Sequence, residues 1–215
     1  MPIPMKIDFV SDVSCPWCII GLKALEQAIE RIGDSIQIDL RFQPFELNPT
    51  MLPEGQDVIE HLTQKYGGSP EEMQRNRESI RLRGAQLGFI FNMEKRGRVY
   101  NTFDAHRLLH WAQQEGHQLA LKHALFDAYF TDGLSPASHD VLVDCARKAG
   151  LDGDRAAAIL ASTLFADDVR DAEKYYLDQG IHSVPAVIIN DQHLISGGQP
   201  TELFEKALRQ IAGTA

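Results

Sequence analysis

The sequence predicts an α/β fold in which a sheet-forming unit, drawn from both ends of the chain, carries an inserted all-helical block. Three observations predict it. Apolar residues alternate at period two near the N-terminus and again after residue 180. They follow a helical period almost throughout from about residue 57 to residue 179. And Cys15 and Cys18 fall where the first strand gives way to the first helix.

Residues 6–10 alternate, Ile7 and Phe9 on one face and Lys6 and Asp8 on the other, as in a strand. After the loop Ser11-Asp12-Val13-Ser14 and the cysteines, Leu25, Ala28, Ile29 and Ile32 recur at helical spacing, and Gly33 is placed to stop the helix. Residues 35–42 alternate again, with Ile36, Ile38, Leu40 and Phe42 inward and Gln37, Asp39 and Arg41 outward. Pro44 and Pro49 then take the chain out of the sheet, because proline cannot donate to a ladder.

Five to seven helices are expected next. Ser69-Pro70-Glu71-Glu72 opens one, with Ser at the N-cap and Glu at N3. Gly88, Gly116, Gly133 and Gly150 punctuate the others, and Asn101 or Thr102 and Ser138 are candidate caps. Strands return at Val184 with 186–189 and at 193–195, joined by a turn at Asn190-Asp191. Pro200 fits the first position of a last amphipathic helix carrying Leu203, Phe204, Ala207, Leu208 and Ile211. The expected division is one discontinuous domain, residues 1–52 with 172–215, and a helical domain at 53–171.

Composition narrows the function. The 215 residues are 44% hydrophobic and 24% charged, ordinary for a globular chain. A net charge of −9 with no basic run argues against nucleic acid or an anionic membrane as partner, since both need clustered positive charge. Residues 1–10 hold no apolar stretch after a basic start, so no secretory signal is expected there. Three cysteines make no disulfide framework, and a cytoplasmic location is expected.

Chemistry concentrates in Cys15-Pro16-Trp17-Cys18. Thiol–disulfide exchange needs an accessible thiolate, and a helix N-terminus supplies unpaired N–H groups and partial positive charge. Cys18 lies one turn on, close enough to attack a mixed disulfide at Cys15. Pro16 costs little in a first turn, and Trp17 offers a flat apolar surface beside the sulfur, suited to a protein or peptide disulfide. The same spacing is half of a zinc site, but no second such motif exists and His106, His110 and His139 are scattered, so neither metal nor cofactor is expected. Val184-Pro185 stands directly before an apolar strand. A cis bond there would free the preceding backbone to pair with an extended substrate, while a trans proline starting a strand is the plain alternative.

Taken together, these motifs resemble the thioredoxin superfamily, and the inserted helices resemble its DsbA-like branch. Residues Ser11 through Cys18, Phe45-Glu46-Leu47-Asn48-Pro49, Asn101-Thr102 with Ala105-His106-Arg107, Val184-Pro185-Ala186, and Ile195 through Pro200 are similar to FrnE-type proteins. The resemblance implies a thioredoxin-like fold with an inserted helical domain and a thiol–disulfide oxidoreductase. It implies Cys15 as exposed nucleophile, Cys18 as resolving thiol and Pro185 as a cis-proline facing them, with Pro16, Trp17 and Val184 at the substrate. Disulfide- or thiol-containing proteins or peptides are the expected partners, glutathione a candidate co-substrate, and monomer or homodimer the open assembly states. The alternative is a glutathione-dependent isomerase or transferase of the 2-hydroxychromene-2-carboxylate isomerase or kappa class. Those place serine where this chain has Cys15. The direction of exchange is not encoded.

Other residues have plainer readings. Cys145 is expected in a helix core, His106 and His110 in packing or surface roles, and Asp8 and Asp12 as exposed acids, with a proton relay to the dithiol as the sharper option. Phe103, Leu108, Leu109, Trp111, Leu125, Phe126, Tyr129 and Phe130 read as helical core, some of them near the cysteines.

Overall fold

A computed structural model describes residues 2–67 and 69–213. The chain opens with β1 (Ile3–Ser11), α1 (Pro16–Ile32) and β2 (Ile36–Pro44), the order its periodicities predict. Strand β1 starts earlier than expected, and Pro44, expected outside the sheet, is the last paired residue of β2, a strand-end position on the sheet edge where a missing N–H is tolerated. The block that follows holds β3 (Gln56–Asp57), α2 (Val58–Tyr66), α3 (Pro70–Gln86), β4 (Arg98–Val99), α4 (Phe103–Gln114), α5 (Gln118–Phe126), a π turn at Asp127–Thr131, α6 (His139–Lys148), α7 (Gly153–Leu160) and α8 (Ala166–Asp178). It ends with β5 (Ala186–Ile189), β6 (His193–Ser196) and α9 (Thr201–Ile211).

Strand β1 is central. It pairs parallel with β2 and antiparallel with β5, and β6 extends β5, giving the order β2-β1-β5-β6. Ile7 and Phe9 point into the larger core with the inner face of α1 and with Phe204 and Leu208 of α9. Val10 faces the other way, packing with Tyr176 of α8, Ile181 and Ala186. A second large core lies among α4, α5, α6 and α7. The helical block therefore buries its own apolar surface while α8 lies against both β2 and α4. No helix among the described residues is long and apolar enough to cross a membrane.

Local chemistry explains most boundaries. The N–H of Glu72 donates to Ser69 Oγ at 3.2 Å and Ser69 N–H donates to Glu72 Oε2 at 2.9 Å, a reciprocal cap. At α4 the cap position is Thr102, yet the side-chain bond comes from Asn101, whose Oδ1 accepts from Phe103 N–H at 2.9 Å. Ser138 holds the cap position of α6 without a side-chain bond, and Pro200 precedes α9 rather than opening it. Asn190 and Asp191 both take positive φ, as the predicted two-residue turn requires. The β3–β4 ribbon has no sequence signal: two residues a side are too few to show a period.

Edge strand β2 is where the helical block docks. The Gln118 side chain on α5 accepts from Phe42 N–H at 2.8 Å and donates to Phe42 C=O at 3.0 Å. One amide thus satisfies both backbone groups that the edge leaves open at Phe42. On the opposite side, α1 approaches the turn before β5 closely. A Cβ on Gly21 would meet Pro185 Cγ at 3.2 Å and Gly198 Cα at 3.3 Å. Neither neighbour is the end of a flexible side chain. Gly21→Ala is therefore expected to lower stability by about 1–2 kcal/mol, overpacking outweighing the better helix propensity of alanine. Urea melts with an unchanged slope and a lower midpoint would show it, and a more stable variant would contradict it.

Candidate active site

Residues Asp12, Val13 and Ser14 turn the chain from β1 into α1. The turn closes with Cys15 N–H donating to Asp12 C=O at 3.2 Å, and Cys15 occupies the N-cap position, its backbone extended at φ −91° and ψ 114°. Pro16 follows as the first helical residue, where its missing N–H costs nothing. Cys18 N–H donates to Cys15 C=O at 3.1 Å, the first bond of the turn that stacks the two thiols. Both are free, and they lie close enough together for Cys15 to push the Cys18 thiol up.

Across from the pair, Cys15 Sγ lies 3.7 Å from the Val184 carbonyl oxygen, and the Val184–Pro185 peptide is cis. Trp17 is partly exposed, and the Arg83 guanidinium lies 5.9 Å from its ring centroid while donating to Gly198 C=O at 3.1 Å. Arg96 donates to Ser14 C=O at 3.4 Å and to Tyr129 Oη at 3.0 Å. The structure thus brings Cys15, Pro16, Trp17, Cys18, Val184 and Pro185 to one place. One expectation needs correction: Cys15 is only 4% exposed, and Cys18 is wholly enclosed. The Val184 carbonyl sits against the Cys15 sulfur and leaves a narrow opening, although Cys15 remains the more accessible thiol.

The two acids depart further from expectation. Neither is exposed. Asp8 turns away from the dithiol, paired with Lys6 at 2.9 Å and accepting from Gln43 Nε2 at 2.7 Å. Asp12 is fully buried beneath the cysteine loop. It accepts from Leu47 N–H at 2.7 Å, Ser14 Oγ at 2.9 Å and Ser14 N–H at 3.2 Å, with His106 Nε2 at 3.6 Å. Burial alone would push this carboxyl up, but His106 and the two backbone donors outweigh it and hold it below its usual range. His106 also contacts Phe45 C=O at 3.1 Å, so it is a buried strut and not a surface residue.

A third group was absent from the sequence reading. Lys122 on α5 is completely buried, and its Nζ has no hydrogen-bond partner among the described residues. It lies 5.1 Å from the Phe126 ring centroid and 5.6 Å from that of Phe42. Burial pushes its ionisation down to about 8, against the opposing pull of Cys18, Asp12 and Cys15. A readable signal existed: Gln118, Leu121, Lys122, Leu125 and Phe126 form the buried stripe of α5, so a cation occupies a core position. Burial pushes the Cys18 thiol well up, and its bond to Cys15 adds to that.

The remaining residues stand as follows. Cys145 is buried in α6, its thiol donating to Ala124 C=O at 3.5 Å and pushed up by burial to about 11. His110 packs on Phe165 at 5.1 Å between ring centroids. Phe126, Tyr129 and Phe130 share the core that holds the two cysteines; Leu108, Leu109, Trp111 and Leu125 belong to the separate helical core, and Phe103 is half-buried. Among the described residues no group of three or more His, Cys, Asp or Glu side chains is placed to hold a metal ion.

The Asp12 geometry makes a pH-dependent prediction. Asparagine offers one acceptor where the carboxylate offers two, so Asp12→Asn should cost about 2 kcal/mol at neutral pH. A carboxyl held low in the fold stabilises it above the ordinary carboxylate value and stops doing so as pH falls through the lowered one. The gap between wild type and variant should therefore be full above about pH 4 and close below it. Denaturant melts across that range would expose a pH-independent gap, which would refute the charge assignment.

Comparison with known proteins agrees with this fold. A solved structure described as a probable DsbA oxidoreductase, SCO1869 from Streptomyces coelicolor, shares 33% identity at a TM-score of 0.91, covering 98% of this chain and 91% of that one. YwbO from Bacillus subtilis (strain 168), named an uncharacterized protein, is 29% identical over 95% of this chain and 96% of its own. A structure of 2-hydroxychromene-2-carboxylate isomerase is similar in fold alone, with 15% identity and a TM-score of 0.70 over 98% of this chain and 99% of that one. The family model for the DSBA-like thioredoxin domain matches residues 6–209, and the chain belongs to that family.

Proposed function

We propose that this chain is a thiol–disulfide oxidoreductase acting through Cys15 and Cys18. The observation that carries the reading is the pair of adjacent free thiols, graded in accessibility, at the N-terminus of α1 and facing the Val184 carbonyl. The Cys15 thiolate attacks a substrate disulfide, one substrate sulfur leaves with the bonding electron pair, and Cys15 is left in a mixed disulfide. Cys18 then attacks the Cys15 sulfur, the second substrate thiolate leaves, and the pair is oxidised as the substrate is reduced by two electrons. The reverse sequence oxidises a dithiol.

An extended peptide or protein disulfide is the proposed substrate. Trp17 offers its exposed face, and Pro16, Val184 and Pro185 line the approach. The insert contributes too: a cavity of about 350 Å³ between α2 and α3, lined by Ile59, Leu62, Met73 and Arg96, lies beside the loop that Arg96 ties down. A role for residues 53–171 in substrate choice, with residues 1–52 and 172–215 carrying the dithiol, belongs to this proposal. So do an FrnE-type assignment, a cytoplasmic location, glutathione as co-substrate, and monomer or homodimer as the working form.

Similarity in fold to the isomerase supports a second reading, glutathione-dependent isomerisation. The two separate cleanly. Redox titration of the purified protein with thiol trapping should convert Cys15 and Cys18 together in a two-electron step while Cys145 stays reduced. Cys15→Ser should abolish disulfide reduction, and Cys18→Ala should trap mixed disulfides. Full reductase activity in Cys15→Ser would falsify the first reading, and glutathione-dependent turnover surviving in Cys18→Ala would favour the second.

A further inference from the structure

The chain carries a net charge of −9, yet its positive charge is unevenly placed. Residues 75–98, from α3 to β4, hold six arginines and one lysine against Glu78 and Glu94 as the only acids. No contiguous basic run marks them in the sequence, because other residues stand between them. The fold sets Arg77, Arg83 and Arg96 around the cysteine loop and the cavity between α2 and α3. Building on the dithiol reading, we propose that these three arginines recognise carboxylates, so that the preferred substrate is a peptide or protein disulfide flanked within a few residues by Asp or Glu.

Placement is the first support. Arg96 donates to the Ser14 carbonyl at 3.4 Å, the oxygen of the peptide bond that leads into Cys15. Arg83 stands at the other end of the motif, 5.9 Å from the Trp17 ring centroid, and donates to Gly198 C=O at 3.1 Å. Arg77 donates to Met93 C=O at 2.8 Å and shares the wall of the α2–α3 cavity with Arg96. All three are half-buried. Cations thus border the nucleophile on its Ser14 side and its Trp17 side, and a third stands in the cavity. An extended peptide advances about 3.3–3.6 Å per residue, so residues a few places from the substrate cysteine pass along this border.

The second support is what these arginines lack. On the outer face of α3, Arg81 meets Glu78 at 2.6 Å, and in α4 Arg107 meets Asp104 at 2.7 Å. Among the described residues none of Arg77, Arg83 and Arg96 has a carboxylate within 4.0 Å. Their hydrogen bonds go to main-chain carbonyls and, from Arg96, to the Tyr129 hydroxyl. The rings of Tyr129 and Phe130, 5.0 and 5.1 Å from the Arg96 guanidinium, hold its orientation. A guanidinium has five N–H donors, and the neutral oxygens here engage one or two of them at each arginine. Drawing such a cation half out of water is costly, and a carboxylate brought by the substrate offsets that cost through charge-assisted bonds.

The cavity argues for a peptide over a nucleic acid. Ile59, Leu62, Met73 and Met93 make much of its wall apolar. Aliphatic side chains beside a carboxylate fit such a wall, whereas a phosphate backbone needs positive charge along its whole track.

Peptide disulfides identical except for glutamate or glutamine beside the cysteine test the assignment, the second-order rate of exchange with the reduced protein being read by acid trapping. At low salt the wild-type protein should react about tenfold faster with the glutamate peptide, and high salt should shrink that preference. Arg77→Gln and Arg83→Gln should each lower the ratio of the two rates by about threefold, and the double variant should bring it close to one. Arg77→Lys should keep most of it. Arg96 is left intact, because it also ties down the cysteine loop. Loss of fold would slow both peptides alike and leave the ratio in place, so the ratio isolates recognition of charge. Equal rates in the wild-type protein, a faster lysine-flanked peptide, or an unchanged ratio in a double variant that melts like wild type would each overturn the proposal. Variants that slow glutathione disulfide alone would give the cations to a small disulfide and overturn it too, as would inhibition by a single-stranded oligonucleotide that the same substitutions relieve. A Cys15–Cys18 pair that titrates yet exchanges with neither peptide also counts against it. A pair that fails to titrate removes the dithiol reading underneath, which is a separate result.

Discussion

A carboxylate removed from water must be surrounded by donors, and Asp12 is the point where that requirement organises this protein. Its donors come from three separate stretches: Ser14 in the cysteine loop, Leu47 in the segment leaving β2, and His106 on α4. Satisfying one buried charge therefore fixes the loop that presents Cys15, the exit of the sheet and helix α4 of the insert relative to one another. Loss of any donor leaves a charge with too few partners in an apolar setting, where each missing bond is felt at full strength.

Much of this was legible from the residues alone. Alternation in 35–42, the reciprocal cap at Ser69 and Glu72, and the turn at Asn190-Asp191 are local signals, and local structure followed them. The dithiol was legible because its meaning depends on a strand-to-helix junction, which periodicity marks. What escaped was nonlocal. Asp12 looks exposed in a loop until Leu47 and His106 are brought over it, and His106 looks unremarkable until Phe45 is beside it. Lys122 is the instructive case, since its position on the buried stripe of α5 was countable. One cation among apolar neighbours is easily assumed to reach solvent, and only packing against Phe42 and Phe126 closes that route.

The narrow opening at Cys15 follows from the same economy of space. Gly21 and Gly198 let α1, Pro185 and the segment after β6 approach within van der Waals contact, and that approach sets the Val184 carbonyl against the sulfur. Side chains at either glycine would widen the gap. The site is shaped by atoms that are missing as much as by those present.

The amide of Gln118 has a consequence for how this sheet behaves among its own copies. By occupying both backbone groups of Phe42, it withdraws the C-terminal end of β2 from pairing with a foreign strand. The other border of the sheet is β6, four residues long and entered from a tight turn. A strand adding to β6 therefore has only a short runway, and one adding to β2 is stopped at Phe42, where the helical insert acts as a guard.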